Sequence, residues 1–346
     1  MKDIDYGQII KRSWELTWKN KWLWVVGLVL AIFGGGSSYS SNGGSSSSTK
    51  FPSASPSPSP QALPSQLNMN GLENTASHVL GAATNTLVSW FKSIPPEYWL
   101  ILVLGVLVFA IFSAGVVWVI KSWATGALIS GLDDADNGQK VDLKTMTPKG
   151  IAKIKDLIIF DLVSFGMVFL AVLGLGIVVG IGFLLKTLVP VIGLAILILL
   201  SIVVVLAFIV AVFLFSMLVL YAQRLIVLKG YKAWDAWKKG LSLTKGNFLP
   251  TIIMGIVNGV IGCLGGCGAL IALVIVFGIP GFLLIYPVFS HGFHFPSVGT
   301  IIGIVILFLL FGSAYNLVRA VLVVFSYGNW NLFFKQIIER EENDKQ

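Results

Sequence analysis

The residues of this chain with the chemistry to hold a metal are Cys263 and Cys267, together with His291 and His294. A zinc site needs four such donors converging tetrahedrally. Here the two thiols stand one helical turn apart in an apolar stretch and the histidines fall on a different segment, so no metal site is expected. The acidic run Asp133-Asp134-Ala135-Asp136-Asn137-Gly138 has part of the spacing of a calcium-binding loop, but Thr145 stands where the twelfth position needs a bidentate Glu. It is expected to be a solvated turn. There is no G-x-S-x-G, no H-E-x-x-H and no phosphate loop ending in Gly-Lys-Ser/Thr. With no nucleophile and base to pair, the sequence points to a protein that is not an enzyme and carries no cofactor.

What remains is a set of polar side chains inside long apolar runs, where an ionisable group is the usual functional clue. Asp161 lies about a turn inside one such run, and Arg224 and Arg319 lie in or at the end of two others. An ion pair from Asp161 to Arg319 or Arg224 is expected, as a latch whose Arg reaches for the interface or as a relay for a proton or ion. Asn258 and Asn316 fall at similar depths and can hydrogen-bond between helices. Gly255, Gly259, Cys263 and Cys267 form a stripe of small residues at every fourth position, which lets another helix approach closely.

These residues need long helices to position them, and composition supplies the helices. Hydrophobic residues make up 56% of the chain and charged residues 12%, which excludes an ordinary soluble domain. No Asp, Glu, Lys or Arg occurs between Lys21 and Lys50, Glu97 and Lys121, Asp161 and Lys186, Lys186 and Arg224, or Lys245 and Arg319. A hydrocarbon core of about 30 Å takes roughly 20 apolar residues per helix. The expected fold is therefore an all-α integral membrane protein with about six spans, at 22–36, 98–120, 157–185, 191–222, 248–276 and 300–325. Residues 248–290 could hold a second span, because Ile279-Pro280-Gly281 should break a helix. Seven spans would put Lys335, Arg340 and Lys345 outside, so charge bias favours six.

The net charge of +8 does not form one basic patch, so nucleic acid is not an expected partner. Under six spans only Lys50, Lys92 and Lys186 of the 24 basic residues fall outside. That bias is expected to place both termini in the cytoplasm, with the first apolar run as an uncleaved anchor. Residues 37–70, rich in Ser, Gly and Pro, are expected to form a disordered external linker, and 71–94 an external amphipathic helix.

Between the apolar runs lie short amphipathic segments. Lys11–Asn20, KRSWELTWKN, aligns without a gap with Lys238–Asn247, KKGLSLTKGN. Each should be an elbow helix on the membrane surface, feeding a span. In the first, Tyr6, Ile9, Ile10, Trp14, Thr17 and Trp18 share one face and Lys11, Arg12, Glu15 and Lys19 the other. A third elbow should start at Thr147-Pro148, with Ile151, Ile154 and Ile158 on its apolar side. An elbow with an outgoing and a returning helix would then occur three times, over 4–132, 143–228 and 231–335. Lys11, Arg12, Lys149, Lys153, Lys238, Lys239 and Lys245 would lie beside Trp at the inner leaflet, where they could attract anionic lipid headgroups at roughly 1 kcal/mol each.

The segment Val219–Phe248, VLYAQRLIVLKGYKAWDAWKKGLSLTKGNF, resembles a group of bacterial multi-pass proteins that includes the glycerophosphoryl diester phosphodiesterase membrane domain and related membrane domains. Those proteins carry an elbow of the form Ala-x-x-x-Ser-x-x-Leu-Thr-x-Gly-Asn-Phe. Ala236, Leu243, Thr244, Gly246, Asn247 and Phe248 match, and Gly240 stands where Ser is usual, a place that Ser13 fills in the N-terminal copy. The resemblance implies a repeated hairpin topology and no activity, since the phosphodiesterase barrel of some members has no counterpart here. The sequence thus suggests a lipid-interacting or membrane-assembly module with membrane lipids as partners and no protein partner indicated. The alternative is a transporter or channel for a small solute, its path lined by Asp161 and Arg319.

Overall fold

A computed structural model describes residues 4–34, 89, 95–188, 190–290 and 298–343. The linker expected at 37–70, the helix expected at 71–94 apart from Ser89, and His291 and His294 lie outside them. The described residues form eight helices and no strand: α1 Tyr6–Lys19, α2 Trp22–Phe33, α3 Pro96–Asp136, α4 Leu143–Leu188, α5 Pro190–Leu228, α6 Ala233–Gly246, α7 Phe248–Ser290 and α8 Val298–Asn343. Five of them, α3, α4, α5, α7 and α8, are long and apolar enough to cross a membrane, and α1 with α2, bent by 101°, would make a sixth only if counted as one broken span. The chain is an all-helical, multi-pass membrane protein.

Two compact units divide the chain, Met1–Ser41 with Val117–Gln346 and Asn42–Val116, the boundary falling inside α3. In the smaller unit, the described part of α3 is a run of apolar side chains exposed on every face from Tyr98 to Phe112. An aqueous surface would not tolerate that, whereas lipid does. In the larger unit, the middle stretches of the long helices are likewise exposed and apolar, and burial concentrates at their ends. The C-terminal ends of α3, α5 and α8 and the N-terminal ends of α4 and α7 meet there with α1, α2 and α6. Leu128, Phe160, Tyr221, Phe333 and Phe334 are among the buried side chains of this base.

Both aligned segments are helices, with the same local construction. The Thr17 hydroxyl donates to Ser13 O at 2.8 Å and the Thr244 hydroxyl to Gly240 O at 2.9 Å. Asn20 returns both its backbone N–H and its side-chain amide to Leu16 O, and Asn247 does the same to Leu243 O. The repeated Thr and Asn thus back-bond the last turn and satisfy a carbonyl that the helix end would otherwise leave open. Beyond Asn20 the chain turns into α2. At 12 residues, about 18 Å, α2 alone is shorter than the span expected at 22–36.

The faces buried in the protein are set by small side chains. In α1 they are Ile9, Ser13, Leu16 and Thr17, while Trp14 is 52% exposed and Trp18 45%. Close approach decides this, because a backbone can near its neighbour only across small side chains. A Cβ on Gly328 of α8 would sit 3.4 Å from Ser13 Cβ. A Cβ on Gly240 would meet Leu218 O of α5 at 3.4 Å, and one on Gly150 would meet Trp123 O of α3 at 2.8 Å. The three elbow segments therefore pack by one rule, small residue inward, with α4 on α3, α6 on α5 and α1 on α8.

The middle elbow departs from expectation in three ways. Its helix begins at Leu143, where the Thr145 hydroxyl accepts the Asp142 N–H at 3.1 Å. Pro148 lies inside the helix, and α4 runs unbroken to Leu188, so elbow and span are one rod. Its buried residues are Met146, Gly150 and Leu157, and Ile151 is exposed. In α7 the helix continues through Ile279-Pro280-Gly281 to Ser290, which corrects the expected break and leaves one span in that interval.

Candidate functional site: a charge-clasped base beneath the elbows

The acidic run after the second span is not a solvated turn. Asp133, Asp134 and Asp136 form the last turn of α3, and the chain reverses only at Gly138, whose φ of +74° suits a residue without a Cβ. Lys335 of α8 bridges Asp133 at 2.7 Å and Asp136 at 2.8 Å. Arg12 of α1 donates to Asp136 Oδ1 at 3.2 Å and to its carbonyl at 3.1 Å. Lys149 of α4 reaches both oxygens of Asp134 at 2.7 Å. One helix end thus gathers cations from three other helices. On the other flank Lys239 of α6 pairs with Glu341, and Lys229 after α5 with Glu342 at 3.4 Å.

Arg12, Lys149 and Lys239 each immediately precede the buried small residue of their elbow, Ser13, Gly150 and Gly240. Their position puts them at the rim of the contact with the helix beneath or beside it, where a carboxylate can be met. They therefore clasp carboxylates of the protein itself, while the side chains of Arg12 and Lys149 stay partly exposed. Lys11, Lys238 and Lys245 are exposed, and Lys153 is half-buried beside Gly230. Lys238 lies over the Trp234 ring at 5.5 Å, and Trp234 stacks on Trp237. Beside α1, Trp14, Trp18 and Trp24 form an edge-on cluster that Phe325 joins, and Trp24 donates its indole N–H to Thr17 O.

Asp161 does not pair with either arginine. Its Oδ2 accepts the Trp118 indole N–H at 3.2 Å and lies 3.8 Å from Lys121 Nζ, both on α3. The reason is register: Lys121 and Trp118 lie on the helix against which α4 packs through Gly150 and Gly126. Arg319 lies over Tyr315 on its own helix at 5.8 Å, and Asn316 donates to Gly312 O within the same helix. Asn258 does bond between helices, accepting from buried Asn329 Nδ2 of α8 at 2.8 Å. Arg224 is only 1% exposed, donates Nη1 to Leu220 O at 2.8 Å and lies over Tyr327 at 5.7 Å.

The small-residue stripe on α7 serves its purpose only in part. Gly255 is buried, but Cys263 and Cys267 are exposed with their sulfurs 4.0 Å apart. The close approach to α8 falls instead at Gly265, where a Cβ would lie 2.9 Å from Leu322. Among the described residues no group of three or more His, Cys, Asp and Glu converges as a metal site would require. Sequence reasoning missed Asp133, Asp136, Lys335, Glu341 and Asn329. A signal existed for the last, since an Asn in the apolar surroundings of Tyr327 and Phe333 needs a partner.

The fold and base define a multi-pass helical membrane protein whose surface helices are clasped to the ends of its spans. Comparison with family models, with curated proteins and with solved structures finds no match for the chain.

Proposed function

We propose that this protein is a non-enzymatic module of the bacterial plasma membrane that engages lipid or assists membrane assembly, with both termini cytoplasmic. The reading is carried by the exposed sides of the elbows: Trp14, Trp18 and Trp234 stand open, and Lys11, Lys238 and Lys245 beside them have no acidic partner among the described residues. Indoles favour the headgroup layer, and each nearby cation adds roughly 1 kcal/mol of attraction to an anionic leaflet. The resemblance of Val219–Phe248 to membrane domains of the glycerophosphoryl diester phosphodiesterase type supports the membrane part of this reading. A solute path lined by Asp161 and Arg319 has less to stand on, because Asp161 is held by Trp118 and Lys121 and Arg319 lies over Tyr315.

The experiment is lipid retention. Full-length protein purified from mixed anionic and zwitterionic bilayers is stripped with detergent, and its bound lipid is measured by mass spectrometry. The triple variant Lys11→Gln, Lys238→Gln, Lys245→Gln should bind anionic lipid on the order of a hundredfold more weakly, since three cations at roughly 1 kcal/mol each are lost. Equal retention by the two proteins rejects the lipid role.

A further inference from the structure

Arg224 is a fully buried cation that the clasp does not use. A guanidinium stays charged at neutral pH, so it cannot escape the cost of burial by losing its proton. Nη1 is satisfied by Leu220 O, and one face of the group is covered by the Tyr327 ring. Nε and Nη2 have no acceptor and no contact with solvent. Among the described residues no carboxylate lies within ion-pair distance, and Asp133, Asp134, Asp136, Asp161, Glu341 and Glu342 are engaged by lysines and Arg12.

The two unsatisfied nitrogens are not a random pair. Nε and Nη2 form the side edge of the guanidinium, whose N–H bonds run parallel and match the spacing of two oxygens on a carboxylate or phosphate. Two parallel N–H bonds are thereby left for one incoming anion, while the remaining nitrogen and the ring face fix the group's orientation. Arg224 also lies in the last turns of α5, at the basic, Trp-lined end of the molecule, where phosphodiester headgroups and soluble phosphate are the abundant anions.

We propose that Arg224 binds a single phosphate-type anion, either the phosphodiester of a lipid headgroup or free phosphate, through its Nε and Nη2 edge. The edge is sealed in this structure, so the anion enters only as the packing around it opens locally. The site is separate from the elbow lysines, which are exposed while Arg224 is buried, and it stands whether or not they bind lipid.

The test uses full-length protein in neutral detergent, free of anionic lipid, with unfolding followed by tryptophan fluorescence at constant ionic strength. Inorganic phosphate and a short-chain phosphatidylglycerol are titrated separately. A saturable rise in Tm of a few degrees is expected with at least one of them. It should be absent in Arg224→Met, which keeps an unbranched apolar stem in place of the guanidinium, and retained in the elbow triple variant. A response to the lipid alone assigns the headgroup as source, and one to phosphate alone assigns the free anion. A wild-type protein insensitive to both, or an Arg224→Met shift equal to the wild type's, overturns the proposal. If Arg224→Met does not fold, Arg224→Lys keeps the charge without the parallel edge; at least tenfold weaker binding supports the proposal, and unchanged binding overturns it.

Discussion

At the scale of single residues, the base is governed by where a Cβ can exist. Gly27 of α2 lies against α8 so closely that a Cβ would stand 2.5 Å from Val324 Cγ2 and 2.8 Å from Ala320 O. The second of these is backbone and cannot swing aside. Gly27→Val should therefore cost about 1–3 kcal/mol through overpacking, and Gly150→Val should do the same against Trp123 O. Gly166 and Gly174 of α4 have nothing within 4 Å of a Cβ. Replacing either by Ala should leave stability unchanged or raise it by about 0.5–1 kcal/mol. Denaturation in detergent, read by loss of tryptophan signal or by aggregation temperature, separates the two pairs. Equal behaviour of all four would mean that the helices do not approach as described. None of this was legible in the sequence, where the glycines of a long apolar run look alike.

At the scale of elements, the elbows are the part the sequence described well and the clasp is the part it hid. The gapless match of Lys11–Asn20 with Lys238–Asn247 gave two helices of equal construction, because Thr and Asn act on carbonyls four residues away. Local interactions of that kind are written in spacing. The partners of Arg12, Lys149 and Lys239 lie at long range along the chain or on another helix, and a pattern of charge gives no hint of which acid meets which base. The faces of α1 and α4 that pack against the protein were hidden for the same reason, since the wheel weighs hydrophobicity whereas packing selects Ser13 and Gly150 for size. The clasp predicts a reciprocal effect. Asp134→Ala and Lys149→Ala should each destabilise, and the double variant should lose little more than either alone, with a coupling of about 0.5–1 kcal/mol for a half-exposed pair. Asp136→Asn removes a carboxylate shared by two cations and should cost more, with the difference shrinking at high salt. Purely additive losses in the Asp134 and Lys149 cycle would mean that the pair contributes no coupling.

At the scale of the whole molecule, parity decides how many times the chain crosses. α3, α5 and α8 arrive at the base by their C-terminal ends, and α4 and α7 leave it from their N-terminal ends. α1 belongs to the base too: Tyr6 stacks on Phe333 of α8, Trp14 meets Phe325, and Ser13 touches Gly328. A chain that begins and ends on one side must cross an even number of times. Were both ends on one side, the five long helices would need one more departure, and α2, which meets α1 at a corner of 101°, is the candidate for it. Six crossings are the prediction of this parity, against the five helices that are long enough by themselves. The contact between α1 and α8 supplies a direct check. With Cys263→Ser and Cys267→Ser in the background, Ser13→Cys and Gly328→Cys would place two Cβ atoms about 3.4 Å apart, close to the separation of about 3.5–4.5 Å that a disulfide prefers. Mild oxidation should join them, shifting the mobility of the protein after a protease cut between the two sites, and reduction should reverse it. Tags at the two ends should then report the same side of the membrane. A pair that will not cross-link, together with tags on opposite sides, would leave five crossings and detach the N-terminal elbow from the base.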